Sequence, residues 1–262
     1  MHTTAQDLRS WKQEGRRFAM LTCYDFPTAQ ILDEAGIPVL LVGDSVANTM
    51  LGYDTTLPVT MEEMLHHTRA VVRGARNALI VGDMPFMSYQ VSVEDGIQNA
   101  GRFLKEGAHA VKIEGWFPEL TEALVSRGIP VMGHLGLTPQ FVNTMGGYRV
   151  QGRSDEAAHR LLDQAVGLEK AGAFSLVLEG IPVELGREIT RSLSMPTIGI
   201  GAGPHCDGQV LVITDLLGMG GGKYPKFAKA YANLRAEITT AVQAYARDVA
   251  DGSFPDEEHS YR

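Results

Sequence analysis

The sequence predicts a single-domain α/β chain folded as a (β/α)8 barrel, the TIM-barrel class, and three observations carry that expectation. Eight short apolar runs recur along 262 residues, a spacing of about 33 residues, as a closed barrel of βα units requires. Helix-like stretches, with apolar residues three and four apart, separate most of them. Four of the runs end directly on an acid. Asp44 follows Val39–Gly43, Asp83 follows Leu79–Gly82, Glu114 follows Ala110–Ile113 and Glu179 follows Ser175–Leu178. Parallel strands buried on both faces read as such runs, and the carboxyl ends of strands in βα sheets carry the chemistry. A doubly wound open sheet is the competing architecture. It usually needs fewer strands at this length and would gather its acids at one switch point.

The elements follow in order. Leu8–Gln13 reads as a short N-terminal helix plugging the barrel floor, ahead of a first strand over Phe18–Tyr24. Thr28–Ala35 is helical and stops at Gly36, before a strand over Val39–Asp44. Thr60, followed by Met61-Glu62-Glu63, starts a helix over Met61–Arg73, which Gly74 ends. The strand Leu79–Asp83 leads to the helix Val93–Lys105 and the stop Gly107. Ala110–Glu114 is a strand, Pro118–Ser126 a helix ending near Gly128, and Val131–Leu135 a strand. Ser154, before Asp155-Glu156, opens the helix Ser154–Ala171, closed by Gly172. The strand Phe174–Glu179, the helix Val183–Ser192 and strands over Thr197–Gly201 and Val210–Ile213 complete the barrel. Phe227–Val249 reads as a long C-terminal helix, and residues 253–262 as a charged, irregular tail.

Composition excludes several function classes. The chain is 44% hydrophobic, enough for one large core, and its formal charge is −8. No basic stripe interleaved with aromatics is present, so nucleic acid is not the expected partner. The cationic runs, Arg16-Arg17 and Lys223 to Lys229, are short and read as surface. No apolar run approaches the roughly 20 residues that span a bilayer. Gln6, Asp7, Arg9, Lys12 and Glu14 make the amino end too polar for a signal peptide. Cys23 and Cys206 lie far apart and indicate no disulfide framework, which fits a cytoplasmic location.

Strand alternation puts Lys112 and Glu114 on one face, and Leu40, Val42 and Asp44 on one face. An inward Lys112 is costly to bury unless paired or holding an anion; the alternative is a solvated strand-end lysine. Asp44, Asp83 and Glu114 together read as a hard-cation site, because carboxylate oxygens suit Mg²⁺ or Mn²⁺. One such acid alone would be read as a helix cap or strand-end salt bridge; three at matched positions favour a site. Zinc is disfavoured, since no Cys–Cys or His–His pair has ligand spacing and His66-His67 face different sides of a helix. His134 ends a strand and is either structural or in contact with a ligand. The run Gly199-Ile200-Gly201-Ala202-Gly203 is a weak dinucleotide signal, with Pro204 following and no acid at the ribose distance. It reads instead as a loop where backbone approaches a ligand, and Gly218–Gly222 as a loop at the rim.

Several motifs occur in a characteristic order. They include Gly43-Asp44-Ser45, Thr56-Leu57-Pro58-Val59-Thr60, Gly82-Asp83-Met84-Pro85-Phe86 and Val111-Lys112-Ile113-Glu114-Gly115. Gly133-His134-Leu135-Gly136-Leu137-Thr138-Pro139-Gln140 and Gly146–Arg153 follow, then Leu178-Glu179 and Ile198–Gly203. From about Arg16 to the Glu258-His259-Ser260 tail the chain resembles the ketopantoate hydroxymethyltransferase family. The resemblance implies a (β/α)8 barrel and transfer of a hydroxymethyl group from 5,10-methylenetetrahydrofolate to 3-methyl-2-oxobutanoate. It implies 2-dehydropantoate as product, on the route to pantothenate and coenzyme A, through a Mg²⁺-stabilised enolate. It implies Asp44, Asp83 and Glu114 as metal residues, with Asp44, Ser45, Asp83, Lys112 and His134 as substrate contacts. Glu179 is implied as the general base, and a homo-oligomer, commonly a decamer, as the assembly. It assigns no folate-binding residues.

Two rival readings share parts of this pattern. A Mg²⁺-dependent lyase of 2-oxo or hydroxy acids would share the acid cluster, but would carry a Lys-Lys-Cys-Gly-His loop, which the chain lacks. A barrel that only binds a metal or carboxylic acid would not require a base such as Glu179.

Overall fold

The computed structural model describes residues 2–221 and 224–262. Gly222 and Lys223, parts of the glycine-rich and basic runs above, lie outside the described residues. The elements in chain order are α1 (Ala5–Gln13), β1 (Phe18–Thr22), α2 (Phe26–Glu34), β2 (Val39–Val42), α3 (Val46–Thr49) and α4 (Met61–Gly74). There follow β3 (Leu79–Asp83), α5 (Val93–Lys105), β4 (Ala110–Glu114), α6 (Pro118–Val125), β5 (Val131–Gly136) and α7 (Val142–Met145). The last are α8 (Asp155–Lys170), β6 (Ser175–Glu179), α9 (Val183–Ser192), β7 (Thr197–Ile200), β8 (Gly208–Leu211), α10 (Ile213–Leu216) and α11 (Leu234–Asp251). A 3₁₀ turn over Pro139–Phe141 precedes α7.

The strands form a closed parallel barrel in the order β1 to β8, with β8 pairing back to β1. The expected fold class is therefore the observed one. Closure sorts the apolar runs by alternation. Val39, Leu41, Leu79, Val81, Ala110, Met132, Val177 and Ile198 form one buried cluster within the barrel. Leu135, Leu176 and Leu178 pack outward with Ala165, Leu168, Leu185 and Ile189 of α8 and α9. Leu8 of α1 is fully buried in the inner cluster, so α1 does plug the floor. Lys12 fastens the plug. Its Nζ donates to the carbonyls of Thr190 and Met195 at 2.8 and 3.0 Å and to Asp207 Oδ2 at 3.0 Å. Asp207 Oδ2 also accepts from Thr197 N at 2.8 Å.

Local signals explain most boundaries. Thr60 and Glu63 form a reciprocal capping box on α4, and the Ser154 hydroxyl accepts from Ala157 N on α8. Several strand and helix ends move by one to three residues, and four further expectations shift. The eighth strand lies at Gly208–Leu211 rather than Val210–Ile213, because Gly208 and Gln209 pair with both β7 and β1. The last helix begins at Leu234 rather than Phe227, where the Asn233 side chain accepts from Ala236 N. Gly74 is the last residue of α4 rather than its stop. A Cβ there would lie 2.5 Å from Phe26 O and 2.7 Å from Ala29 Cβ, so glycine lets α2 and α4 approach. The run Gly199–Gly203 needs no ligand to explain it: a Cβ on Gly203 would meet Val183 Cγ1 at 2.8 Å, and one on Gly199 Cys206 Sγ at 3.0 Å.

Met1–Val212 and Ile213–Arg262 form two compact units. Within the second, Tyr231 N donates to Leu216 O at 2.8 Å and Leu234 N to Leu217 O at 2.9 Å. Beyond α11 no helix or strand follows. Among the described residues no helix is long and apolar enough to cross a membrane.

Asp33, at the end of α2, fixes the turn into β3. Its carboxylate accepts from the backbone N of Arg76, Asn77 and Ala78 at 2.8–3.0 Å. Partial burial works against the ionised form, but these N–H groups outweigh it and hold the carboxyl below its ordinary 3.8. A lowered folded value means the stabilisation is complete above 3.8 and fades as pH falls through the folded value. Asp33→Ala is expected to lose about 1–3 kcal/mol at pH 7. Urea unfolding of both proteins at pH 7 and pH 3 checks it, with a narrower gap expected at pH 3. An equal gap at both would show that the charge of Asp33 contributes nothing.

Candidate metal centre and active site

The barrel's alternation aims five ionisable side chains into its mouth. The inward positions of β3 run Leu79, Val81, Asp83, and those of β4 run Ala110, Lys112, Glu114. On β5 Met132 is followed by His134, and on β6 Val177 by Glu179. Register sets them side by side: Asp83 pairs with Lys112, Glu114 with His134, and Gly136 with Glu179. Asp44 arrives differently. Val39 and Leu41 are the inward residues of β2, so Asp44 does not share a strand face with Leu40 and Val42 as alternation predicted. β2 ends at Val42, and the turn through Gly43 brings Asp44 to the cluster.

Asp44, Asp83 and Glu114 can each offer an oxygen, and the three oxygens lie within 4.8 Å of one another. All three residues are 4% exposed or less. Lys112 Nζ, equally buried, donates to Asp83 Oδ1 at 2.6 Å and reaches Glu114 Oε1 at 3.4 Å. Lys112 is therefore buried and paired with two acids rather than a solvated strand-end lysine. Asp44 N donates to Asp83 Oδ2 at 3.1 Å.

His134 lies between two acids. Its Nδ1 is 3.2 Å from Glu114 Oε1 and its Nε2 3.4 Å from Glu179 Oε2. Neither contact is aligned as a hydrogen bond, so both are ion-pair approaches. Glu179 is the more open partner, with 16% of its side chain exposed. Ser45, half-buried, shares a 2.8 Å hydrogen bond with the Tyr24 hydroxyl. Burial pushes that phenol up to about 12, against the hydroxyls of Ser45, Thr22 and Thr49.

The charges are unequal to one another. Burial, then the charges of Asp83 and Glu114, raise Asp44 well above its ordinary value. Burial also raises Asp83, against the pull of Lys112. At Glu114 burial is outweighed by Lys112 and His134, and its carboxyl falls to about 2. At Lys112 burial is outweighed by the three carboxylates, which raise it. At His134 burial is outweighed mainly by Glu114, and the imidazolium persists to about 9. Three buried acids thus face one lysine and one histidinium, and Asp44 is left short of positive charge. A hard divalent cation fits that vacancy of charge and that all-oxygen donor set.

Two residues of the cluster carry no signal that strand periodicity could find. Gln140, in the 3₁₀ turn after β5, donates from Nε2 to Asp44 Oδ2 at 3.0 Å and from its backbone N to Glu114 Oε2 at 3.1 Å. The Tyr89 hydroxyl accepts from Glu114 N at 3.0 Å and donates to Gln140 Oε1 at 2.7 Å. A cavity of about 710 Å³ opens beside the loops after β4 and β5, against Trp116, Thr138, Phe141 and Arg160. None of the acids, Lys112 or His134 lines it.

Comparisons with known proteins add independent findings. A family model described as ketopantoate hydroxymethyltransferase matches residues 2–257. A 3-methyl-2-oxobutanoate hydroxymethyltransferase of Syntrophus aciditrophicus (strain SB) is 55% identical over 261 residues, covering 98% of this chain and 96% of its own. One of Thermotoga sp. (strain RQ2) is 58% identical over 253 residues, covering 95% and 94%. Among solved structures, a phosphonopyruvate hydrolase in complex with oxalate and Mg²⁺ superposes with a TM-score of 0.63 at 13% identity, covering 98% and 93%. A 2,3-dimethylmalate lyase of the PEP mutase/isocitrate lyase superfamily gives 0.61 at 17% identity, covering 99% and 92%. At such identities these last two show the barrel fold alone.

Proposed function

Since this chain belongs to the ketopantoate hydroxymethyltransferase family, we propose that it moves a hydroxymethyl group from 5,10-methylenetetrahydrofolate to 3-methyl-2-oxobutanoate, giving 2-dehydropantoate. One observation carries the reading: a three-carboxylate cation site stands beside a fourth carboxylate, Glu179, that is not part of it. Asp44, Asp83 and Glu114 would hold Mg²⁺. When bound, the cation supplies the positive charge that polarises a 2-oxo carbonyl and stabilises the enolate.

The chain's own groups do the remainder. Lys112 Nζ places a fixed positive charge beside the acids, where an incoming 2-oxo carboxylate and the growing enolate charge both gain from it. The Ser45 hydroxyl can turn from Tyr24 to donate to that carboxylate. Glu179, open to the mouth, takes the C3 proton. Water releases the methylene from both folate nitrogens as a formaldehyde-level carbonyl, and the electron pair left on C3 forms the new C–C bond to that carbon. Its oxygen takes up a proton to become the hydroxyl, and tetrahydrofolate leaves. His134 pairs electrostatically with Glu179 through Nε2, with Nδ1 toward Glu114. No enzyme nucleophile is required.

Proton exchange tests the first half of this reaction. In D₂O, 3-methyl-2-oxobutanoate is expected to lose its C3 hydrogen in the presence of protein and Mg²⁺, without any folate, as followed by NMR. Product is expected only when the folate donor is added. Exchange unaffected by chelating the metal would reject the cation's role, and transfer independent of folate would reject the donor. A cytoplasmic homo-oligomer belongs to the same reading. It is supported by two buried, unpaired cysteines and by Ile238, Val242, Tyr245 and Val249, exposed at helical spacing along α11.

A further inference from the structure

The six oxygens of the cation site differ in what the protein already asks of them. Asp83 Oδ1 accepts from Lys112 and Oδ2 from the Asp44 amide. Glu114 Oε1 faces Lys112 and His134, and Oε2 accepts from the Gln140 amide. Asp44 Oδ2 accepts from Gln140 Nε2. Asp83 and Glu114 are thus held on both oxygens and Asp44 on one, and the donors on Asp44 Oδ2 and Glu114 Oε2 both come from one residue.

Gln140 is itself held at both polar atoms of its side chain. Nε2 has a second acceptor in Met84 O at 2.9 Å, and Oε1 accepts from Tyr89 at 2.7 Å and Gln90 Nε2 at 3.1 Å. The residue is 3% exposed. A buried amide with all its partners has no low-cost alternative rotamer, since moving it would strand several polar groups. It cannot swing aside to release a carboxylate oxygen.

We infer that Gln140 is a positioning residue that fixes the orientation of the Asp44 carboxylate, each held oxygen keeping a second lone pair for the cation, and thereby makes the site discriminate against large cations, which need carboxylates free to turn both oxygens inward. Ca²⁺ takes 6–8 oxygens and often grips carboxylates through both, whereas Mg²⁺ demands a compact octahedron and keeps waters. A site whose carboxylates are tethered by nitrogen donors suits the second ion and starves the first. Partners behind a metal ligand commonly matter to affinity by 10- to 100-fold, about the effect expected here.

The inference rests on the cation reading above, and the experiment separates the two. Calorimetric titration of the folded, metal-free protein with Mg²⁺ and with Ca²⁺ gives two dissociation constants and their ratio. Gln140→Met keeps length and removes both the donor and the acceptor. Mg²⁺ affinity is expected to fall about 10-fold or more, while Ca²⁺ affinity falls less or rises, so that the preference for Mg²⁺ shrinks. A general structural disturbance would weaken both ions alike. Tyr89→Phe, which removes the hydroxyl behind Gln140 Oε1 together with the acceptor of the Glu114 amide, is expected to shift the ratio the same way by less, and serves if the first variant does not fold. Parent protein that binds neither ion would overturn the cation reading itself. Parent protein that binds Mg²⁺, with an unchanged ratio in whichever variant folds, would overturn the role of Gln140 alone.

Discussion

Glu179→Gln is expected to abolish C3 proton exchange while leaving Mg²⁺ and 3-methyl-2-oxobutanoate bound. The amide keeps the shape of the carboxylate and its place beside His134 Nε2, now 3.4 Å from Oε2, but cannot accept the proton. A positioned general base typically contributes about 10²–10⁴-fold, so exchange and hydroxymethyl transfer should fall together by that order. Binding should survive because Glu179 stands apart from the three acids that gather within 4.8 Å. Losing exchange and cation affinity together would move Glu179 into the metal site. Exchange at the parental rate would assign the proton to another group.

Asp44→Asn should disable the site and stabilise the metal-free protein. Loss of the charge at Asp44 removes a proposed ligand, so Mg²⁺ affinity and turnover should collapse. It also removes the acid that burial and two neighbouring carboxylates penalise most. Its raised folded value means the native state holds a proton to higher pH than the unfolded chain does. Parent stability therefore falls as pH climbs from 3.8 through the folded value. The metal-free variant, free of that penalty, should melt higher than the parent at pH 8, by about 2–4 °C for each kcal/mol relieved. Mg²⁺ should close the gap by stabilising only the parent. Lys112→Met should act in the opposite direction, costing about 3–5 kcal/mol, because it leaves buried carboxylates without their cation. A metal-free Asp44→Asn protein that melts below its parent would refute the claim that these acids repel one another.

Much of the site was legible because a strand has a period of two. Lys112, Glu114, Asp83, His134 and Glu179 each end or nearly end a strand, and closing the sheet brings strand ends together. Asp44 was found by its place after an apolar run, although the face assigned to it was wrong, since it sits in a turn that alternation does not govern. Gln140 and Tyr89 lie in loops, where no periodicity says which way a side chain points. Gln140 stands in a run that marked the family, yet only the folded loop after β5 shows its amide meeting Asp44. The helix Val93–Lys105 was predicted to the residue, its capping Ser92 aside. The start of α11 was not, because apolar residues before Asn233 continue the helical pattern without forming helix.

The fastening of α1 at the floor has a consequence for how the chain is made. Lys12 is synthesised early, but its partners Thr190, Met195 and Asp207 lie 178, 183 and 195 residues downstream, and β1 finds its closing neighbour only in β8. At roughly 5–20 residues per second, a ribosome needs about 10–40 s to deliver them. Throughout that interval the nascent chain carries an open β1 edge and an unseated Leu8, a template for pairing with other chains. Translation between β1 and β8 is therefore an interval in which pairing with other chains is open, and slowing the ribosome there prolongs it.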